Sequence, residues 1–418
     1  METIMPLRKI YSIRISVIKL IFFLILFTHY CFSEQYVRGR ITKETRWTEN
    51  ESPYIIKSDL IIEKGASLTI LPGTKIFIGR ATLLDSTHQY DATDSAQISI
   101  KVYGALICVG KKDKRIQFIP TDTTDATFFW YGIVFDNAQS NFSEIAFTDV
   151  VKAFRGITIR KSSPVIRNSI IEFNHIGIYC SKGGNANIFN CMIARNLIAG
   201  IQIKEANPTI SNNIIMDNTN HGLLCDGLSK IKLEYNCIVN NKDGNFFDCD
   251  PEYGIITSNN KKDKKSDSID FANNIYKNPI FKGSPEDTAA YEQDLELPTD
   301  LSKVKDSSLA KVYHETNENQ ALSINMHPEL PSMKYELSKY SPCINKGHPD
   351  KVFKNTDGTR NTIGVWGGPE FLILKKETKA ATTTAKPKAK GGHGGDGGHG
   401  AKKSSGGGGH GKPKKGGH

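Results

Sequence analysis

Residues 156–243 read GITIRKSSPVIRNSIIEFNHI (156–176), GIYCSKGGNANIFNCMIARNLIA (177–199), GIQIKEANPTISNNIIMDNTNH (200–221) and GLLCDGLSKIKLEYNCIVNNKD (222–243), with Gly244 opening the next block. One unit of 22 residues recurs with a single slip, bracketed by Gly156 and Gly177. Repetition at that period is the mark of a solenoid. Each block holds three short apolar runs rich in β-branched residues, such as Val165-Ile166, Ile170-Ile171 and Ile176-Gly177-Ile178. None is long enough for a helix, so the repeating units are strands. An antiparallel sandwich would not need the same residue types at a fixed step. The expected fold is therefore all-β, a parallel β-solenoid with rungs of about 22 residues.

Asn and Gly recur where the runs meet. A tight corner between strands needs unusual backbone angles, which Gly adopts freely and Asn tolerates. Asn174, Asn196, Asn218 and Asn240 stand 22 apart, as do Asn168, Asn190 and Asn212. At a rung spacing of ~4.8 Å both sets are expected to form structural ladders of side-chain amides. Ile166, Ile188 and Ile210, and likewise Ile171, Ile193, Ile215 and Cys237, are expected to stack in the interior.

Working outward, residues 1–33 place Arg8, Lys9, Arg14 and Lys19 before the apolar run Leu20 to Phe27, with Ser33 where a signal peptidase would cut. This reads as a secretory signal. The run is short for a single-span anchor, which needs about 20 residues, and no later segment is apolar enough to span a membrane. Export places the mature chain outside the cell, in a periplasm or on a cell surface. The net charge of +10 belongs to the ends: residues 1–33 carry +3 and residues 375–418 carry +9, leaving the body slightly acidic. Charge thus says nothing about the body's ligand, and export argues against nucleic acid.

Residues 34–59 are read as an N-terminal cap containing Trp47, and 60–257 as the solenoid, of roughly nine rungs. Thr82 to Ala96 is polar and is expected to loop out. Residues 258–334 form a polar insertion with weak helical character around Glu286 to Asp294 and Leu309 to Glu315. Residues 335–374 read as a closing segment. Residues 375–418, with 14 Gly and 11 Lys, have no apolar run and cannot fold; they form a basic, disordered tail suited to anionic polymer. His393, His399, His410 and His418 are too loosely spaced to indicate a metal site.

Several stretches carry a family resemblance. SPYIIKSDLIIEKGASLTILPGTKIFIG (52–79), VYGALICVGKKDKRIQFIPT (102–121), WYGIVFDN (130–137) and SEIAFTDVVKAFRGI (143–157) resemble the rungs of secreted bacterial right-handed parallel β-helix repeat proteins of the pectin-lyase-like superfamily. YELSKYSPCINKGHPD (335–350) and NTDGTRNTIGVWGGPE (355–370) resemble the segment that ends such solenoids, with Thr362 where an Asp is usual. That difference weakens an ion site at Asp350, Asp357 and Asn361 and favours a structural turn. The superfamily includes lyases, hydrolases, epimerases and non-catalytic surface proteins, so fold does not give function.

Candidate site residues follow from charges in register. Arg160, Lys182, Lys204 and Asp226 fall 22 apart, and Glu172, Arg195 and Asp217 lie at nearly one place on the neighbouring sheet. Arg160, Lys182, Arg195 and Lys204 are the candidate ligands for an acidic polysaccharide, through charge-assisted hydrogen bonds; the plainer reading is a solvated face of paired charges. A glycosidase needs two carboxylates ~5–9.5 Å apart, and Asp217 with Glu172 or Asp226 are the weak catalytic candidates. No metal site or cofactor is indicated, although calcium would be expected if the chain were a lyase, as the resemblance implies. Seven cysteines follow the signal. Cys180 and Cys225, and Cys191 and Cys237, are placed two rungs apart, beyond disulfide reach, and interior free thiols are expected; Cys237 and Cys249 meet only if the chain doubles back. The leading expectation is a non-catalytic polysaccharide-binding or scaffold protein; the alternative is a lyase or hydrolase acting on an acidic polysaccharide.

Overall fold

The computed structural model describes residues 34–80, 97–125, 127–138, 143–256, 268–294 and 334–370. The signal, the loop around Thr82 to Ala96, the run Leu309 to Glu315 and the basic tail lie outside the described residues. The chain opens with β1 (Gln35–Ile41), β2 (Thr45–Trp47) and β3 (Tyr54–Ile62). Turns of three strands follow: β4 (Ser67–Ile70), β5 (Lys75–Ile78) and β6 (Ser99–Val102), then β7 (Ala105–Val109), β8 (Ile116–Pro120) and β9 (Gly132–Asp136). Next come β10 (Glu144–Ala146), β11 (Thr148–Val151) and β12 (Arg155–Arg160), then β13 (Val165–Arg167), β14 (Ile170–Glu172) and β15 (Ile176–Ser181). The series ends with β16 (Asn187–Phe189), β17 (Met192–Ala194), β18 (Ala199–Lys204), β19 (Thr209–Ser211), β20 (Ile214–Met216), β21 (His221–Leu224), β22 (Lys232–Glu234), β23 (Cys237–Val239) and β24 (Gly244–Phe247).

Every inter-rung pairing is parallel, and the strands stack on three faces. Face 1 runs β2-β4-β7-β10-β13-β16-β19-β22. Face 2 runs from β5 to β23 and face 3 from β6 to β24, every third strand in each case. The two form one sheet because β3 passes unbroken from one to the other, pairing with β5 through Tyr54–Ile56 and with β6 through Leu60–Ile62. The fold is an all-β parallel solenoid of about eight turns. Nine were expected; Ser67 pairs with Ala105 and Ile107 with Glu144, so the early turns take 37 or 38 residues rather than 22.

The interior is a continuous apolar column, including the stack Ile166, Ile188, Ile210 and Leu233, all buried. At the N-terminal end, β1 pairs in parallel with β3, Trp47 is buried and stacks on Tyr54 at 4.4 Å, and β3 runs on across residue 60 into the solenoid. Within the polar insertion, Pro285–Asp294 forms helix α1, and Ile275 pairs beside Cys237.

The corners follow a rule. After each strand of a regular turn, one residue takes a positive φ: Phe147, Asn168, Asn190, Asn212 and Tyr235 at the first corner, Lys152, Phe173, Arg195, Asp217 and Asn240 at the second, and Asn137, Lys161, Lys182 and Glu205 at the third, all between 45° and 60°. The amide ladder lies just inside the second corner. Asn196 Nδ2 donates to Asn218 Oδ1 at 3.0 Å, and Asn174 Nδ2 to Asn196 Oδ1 at 3.1 Å. The next member is Asn241, which accepts from Asn218 at 2.8 Å; Asn240 is exposed at the corner itself. An extra residue between Leu224 and Lys232, where register partners go from 22 to 23 apart, shifts the pattern by one. The same shift stacks Ile238, not Cys237, on Ile215, and puts Cys237 in register with Ile214 on the outside.

Asn168, Asn190 and Asn212 form no ladder with one another. They take the left-handed corner position and turn their amides outward to the closing segment. Asn168 donates to the Val365 and Gly367 carbonyls, Asn190 to those of Thr362 and Gly364, and Asn212 Oδ1 accepts from the His348 N–H at 2.7 Å. A true second ladder runs one residue later, Asn213 to Asn236 to Asn274, each bond 3.0 Å. The closing segment therefore lies along face 2 rather than across the end of the solenoid. It covers Ile170, Met192, Ile214 and Cys237 with Tyr335, Cys343, Ile363 and Val365. Asp350 caps a short 3-10 turn, Asp357 accepts from Thr359, and buried Asn361 bonds Asn190, so all three serve turns.

Cys225 and Cys249 form a disulfide one turn apart, with Cα atoms 5.1 Å from each other. Cys225 thus pairs with the cysteine one rung further on, not with Cys180 two rungs back. The remaining described cysteines are free and buried.

Candidate functional site

The proposed basic ladder divides between two positions. Strand register aligns Asp136, Arg160, Ser181 and Lys204 across four rungs. Gly156 and Gly177 are 21 apart but Gly177 and Gly200 are 23 apart, so Lys182 falls one place further on, at the corner with Lys161 and Glu205. Asp226 accepts from the N–H groups of Glu205, Leu228 and Ser229. Burial pushes its carboxyl up, but these bonds outweigh that and hold it at about 2. It is an ionised turn cap.

Glu172, Arg195 and Asp217 do lie together, beneath and beside the closing segment. Glu172 ends β14 and is fully buried. It accepts from Lys334 Nζ and the Tyr335 hydroxyl and lies 3.5 Å from Arg195 Nη1, which also donates to Tyr335. Arg195 and Asp217 occupy successive second-corner positions; burial raises the Asp217 carboxyl, and Arg195 partly offsets this. One turn earlier, buried Asp149 pairs with Arg115 at 2.7 Å, and Arg115 and Lys112 sit over the Trp366 ring at 5.4 Å. With no exposed surface and three donors on it, Glu172 is shielded from a substrate. It anchors the closing segment.

A partly exposed surface carrying few charges lies on the outside of face 3. Register aligns Thr158, Tyr179, Gln202, Leu224 and Phe247 on consecutive rungs; Thr158 is buried, Tyr179, Gln202 and Leu224 are half-buried and Phe247 is exposed. Arg155 crosses them: its guanidinium sits 4.6 Å over the Tyr179 ring and 5.4 Å over Phe154, and Nη1 donates to the Tyr131 hydroxyl at 3.4 Å. His175 packs edge-on against Phe129 at 4.3 Å and beside Phe154 at 5.2 Å, and burial lowers its pKa. His221 lies 5.1 Å from Phe247, which is 54% exposed. The face thus presents rings, an amide and cations at steps of ~4.8 Å, with Arg160 and Lys204 on its margin. The signal was present in the sequence: these outward residues stand two after each repeat glycine, at 158, 179, 202 and 224. All four are uncharged, so a register of charges does not include them.

Among the described residues no group of three or more His, Cys, Asp or Glu side chains could hold a metal ion, and no helix is long and apolar enough to cross a membrane. Residues 121–276 match the family model described as "Right handed beta helix region". No curated protein and no solved structure shows a significant match to the chain.

Proposed function

From the premise that this chain is a right-handed β-helix repeat protein, we propose that it is an exported, non-catalytic protein that binds polysaccharide or serves as a surface scaffold. Face 3 is the proposed binding surface and the tail at 375–418 a second, electrostatic contact with anionic envelope polymer. The observation that carries this reading is the register of Tyr179 with Gln202 on face 3, with Arg155 over the Tyr179 ring. Aromatic rings offer a flat apolar body to the C–H side of a sugar ring. Amide and guanidinium groups meet hydroxyls and carboxylates, the latter by charge-assisted bonds. A polymer lying along the axis would meet one such group per rung, so weak contacts add. Support also comes from where the carboxylates are: Glu172 is sealed under the closing segment and Asp226 caps a turn, away from that face.

The test is a glycan array with a parallel turnover assay, calcium included, on the full chain, on Tyr179→Ala/Arg155→Ala, and on a chain ending at residue 374. Binding without product, weakened at least tenfold by the double substitution, is the expected result. Product formation lost on changing Asp217 or Asp226 would overturn it and favour a lyase or hydrolase. Binding that disappears only with the tail would reduce the solenoid to a spacer.

A further inference from the structure

Two buried thiols meet across the join between face 2 and the closing segment. Cys237 opens β23 and continues the outward column of Met192 and Ile214. Cys343 follows Ser341 and Pro342, and its backbone is held by bonds from its N–H to Ser341 Oγ at 3.2 Å and from the Ile363 N–H to its carbonyl at 3.0 Å. Both are fully buried in the same apolar cluster, with the two thiols close enough to interact, and Cys237 Sγ donates to the Lys277 carbonyl at 3.2 Å. The other free cysteines differ: Cys108 and Cys180 belong to the interior stack, and Cys191 Sγ bonds only backbone carbonyls.

We infer that Cys237 and Cys343 close into a second, reversible disulfide that locks the closing segment onto face 2 when the chain folds in the presence of a disulfide donor. In the docked state both thiols are out of reach of a donor. The neighbouring Cys343 thiol and burial also push the Cys237 thiol well above its ordinary value, which suppresses the reactive thiolate. Exchange therefore belongs to the undocked segment. The Cys343 thiolate attacks the donor's S–S bond, forming a mixed disulfide and releasing one donor thiolate. As the segment docks, the Cys237 thiolate attacks the Cys343 sulfur, forming the Cys237–Cys343 bond and expelling the donor's second thiolate. The two cysteines together lose two protons and two electrons; the donor disulfide, glutathione disulfide or an oxidoreductase, is reduced to two thiols.

The full-length protein is refolded in glutathione with glutathione disulfide, or in dithiothreitol, then alkylated and digested with trypsin without reduction. Peptide 233–242, carrying Cys237, is expected joined to peptide 340–346, carrying Cys343, in the oxidised sample only. Peptides 205–230 and 243–261, joined through Cys225 and Cys249, report that the sample was oxidised and folded. If Cys237 and Cys343 are both alkylated in a sample where that first link is present, the inference is overturned. A link from Cys237 to any other cysteine overturns it equally. Proteolytic release of residues 334–370 is expected to slow at least tenfold on oxidation in the native chain and not in Cys343→Ser; equal slowing in both would show that the lock lies elsewhere.

Discussion

Asn196→Ala should be among the most damaging single changes to this protein that leave its apolar core untouched. The Asn196 Oδ1 accepts from the Asn174 backbone N–H and from Asn174 Nδ2, both at 3.1 Å, while its Nδ2 donates to Asn218 Oδ1 at 3.0 Å and to the Ile171 carbonyl at 3.3 Å. Asn174 Nδ2 still reaches the Val150 carbonyl, and Asn218 Oδ1 still accepts from the Asn196 N–H. The Asn174 N–H is left bare in a fully buried site, while the Ile171 carbonyl, which stays in the β14–β17 ladder, loses one of its bonds. At about 1–3 kcal/mol for the unsatisfied buried group and roughly 0.5–1 kcal/mol for each of the three other hydrogen bonds lost, the expected cost is about 3–5 kcal/mol. In urea, at an m-value of about 3 kcal/mol/M, the midpoint should fall by more than about 1 M, followed by far-UV circular dichroism. Asn240→Ala is the matched control: it sits at the exposed corner with φ 57°, and loses only the tolerance of Asn for that conformation, about 1 kcal/mol. Equal costs at the two positions would refute the assignment of the ladder to Asn196 and Asn241.

Gly177→Ala should destabilise by about 1–3 kcal/mol of overpacking, because a Cβ there would meet the Gly200 carbonyl oxygen at 2.5 Å and Asn196 Nδ2 at 2.9 Å; the urea midpoint reports it. Glu172→Gln leaves Lys334 and Arg195 without their shared carboxylate and should cost about 3–5 kcal/mol, seen first as faster proteolysis between residues 334 and 370; unchanged cleavage would remove Glu172 as the anchor. The Asp226 carboxyl should titrate near 2 by carboxyl-carbon NMR. Because its folded value lies below the ordinary 3.8, the stability it adds is complete above about pH 4 and lost as pH falls through 2; Asp226→Asn should flatten stability across that window. Reduction of Cys225–Cys249 should lower stability by about 3 kcal/mol for a loop of 24 residues, and Cys225→Ser should show the same loss without reductant.

The solenoid was legible because period and residue type agree over four successive blocks. Stacking identical rungs makes one turn's pattern predict the next, so Ile166, Ile188 and Ile210 could be aligned by counting. Counting failed where turns differ in length. One residue lost before Gly177 and one gained before Gly200 moved Lys182 off the Arg160 column, and the extra residue near Leu228 exchanged Asn240 for Asn241. Side-chain direction was the other gap. Asn168 and Asn174 look alike as repeats, yet the first lies at a left-handed corner and points out, and the second lies beyond Phe173, the left-handed residue of its own corner, and points along the axis. Contacts from distant sequence, such as Tyr335 on Glu172, have no local signal. They made a charge cluster that reads as chemistry in the sequence into a buried fastening.

The closing segment touches Lys112 and Arg115 through Trp366 at one extreme and Glu234 through His348, at 3.3 Å, at the other. Between them it meets Asn168, Asn190 and Asn212 in turn. A bare stack of rungs under tension would give way one interface at a time, because each rung is held only by its neighbours. Here a tie runs lengthwise beside the stack and shares the load in parallel, so pulling the two ends apart should yield one large rupture event instead of a sawtooth of small ones.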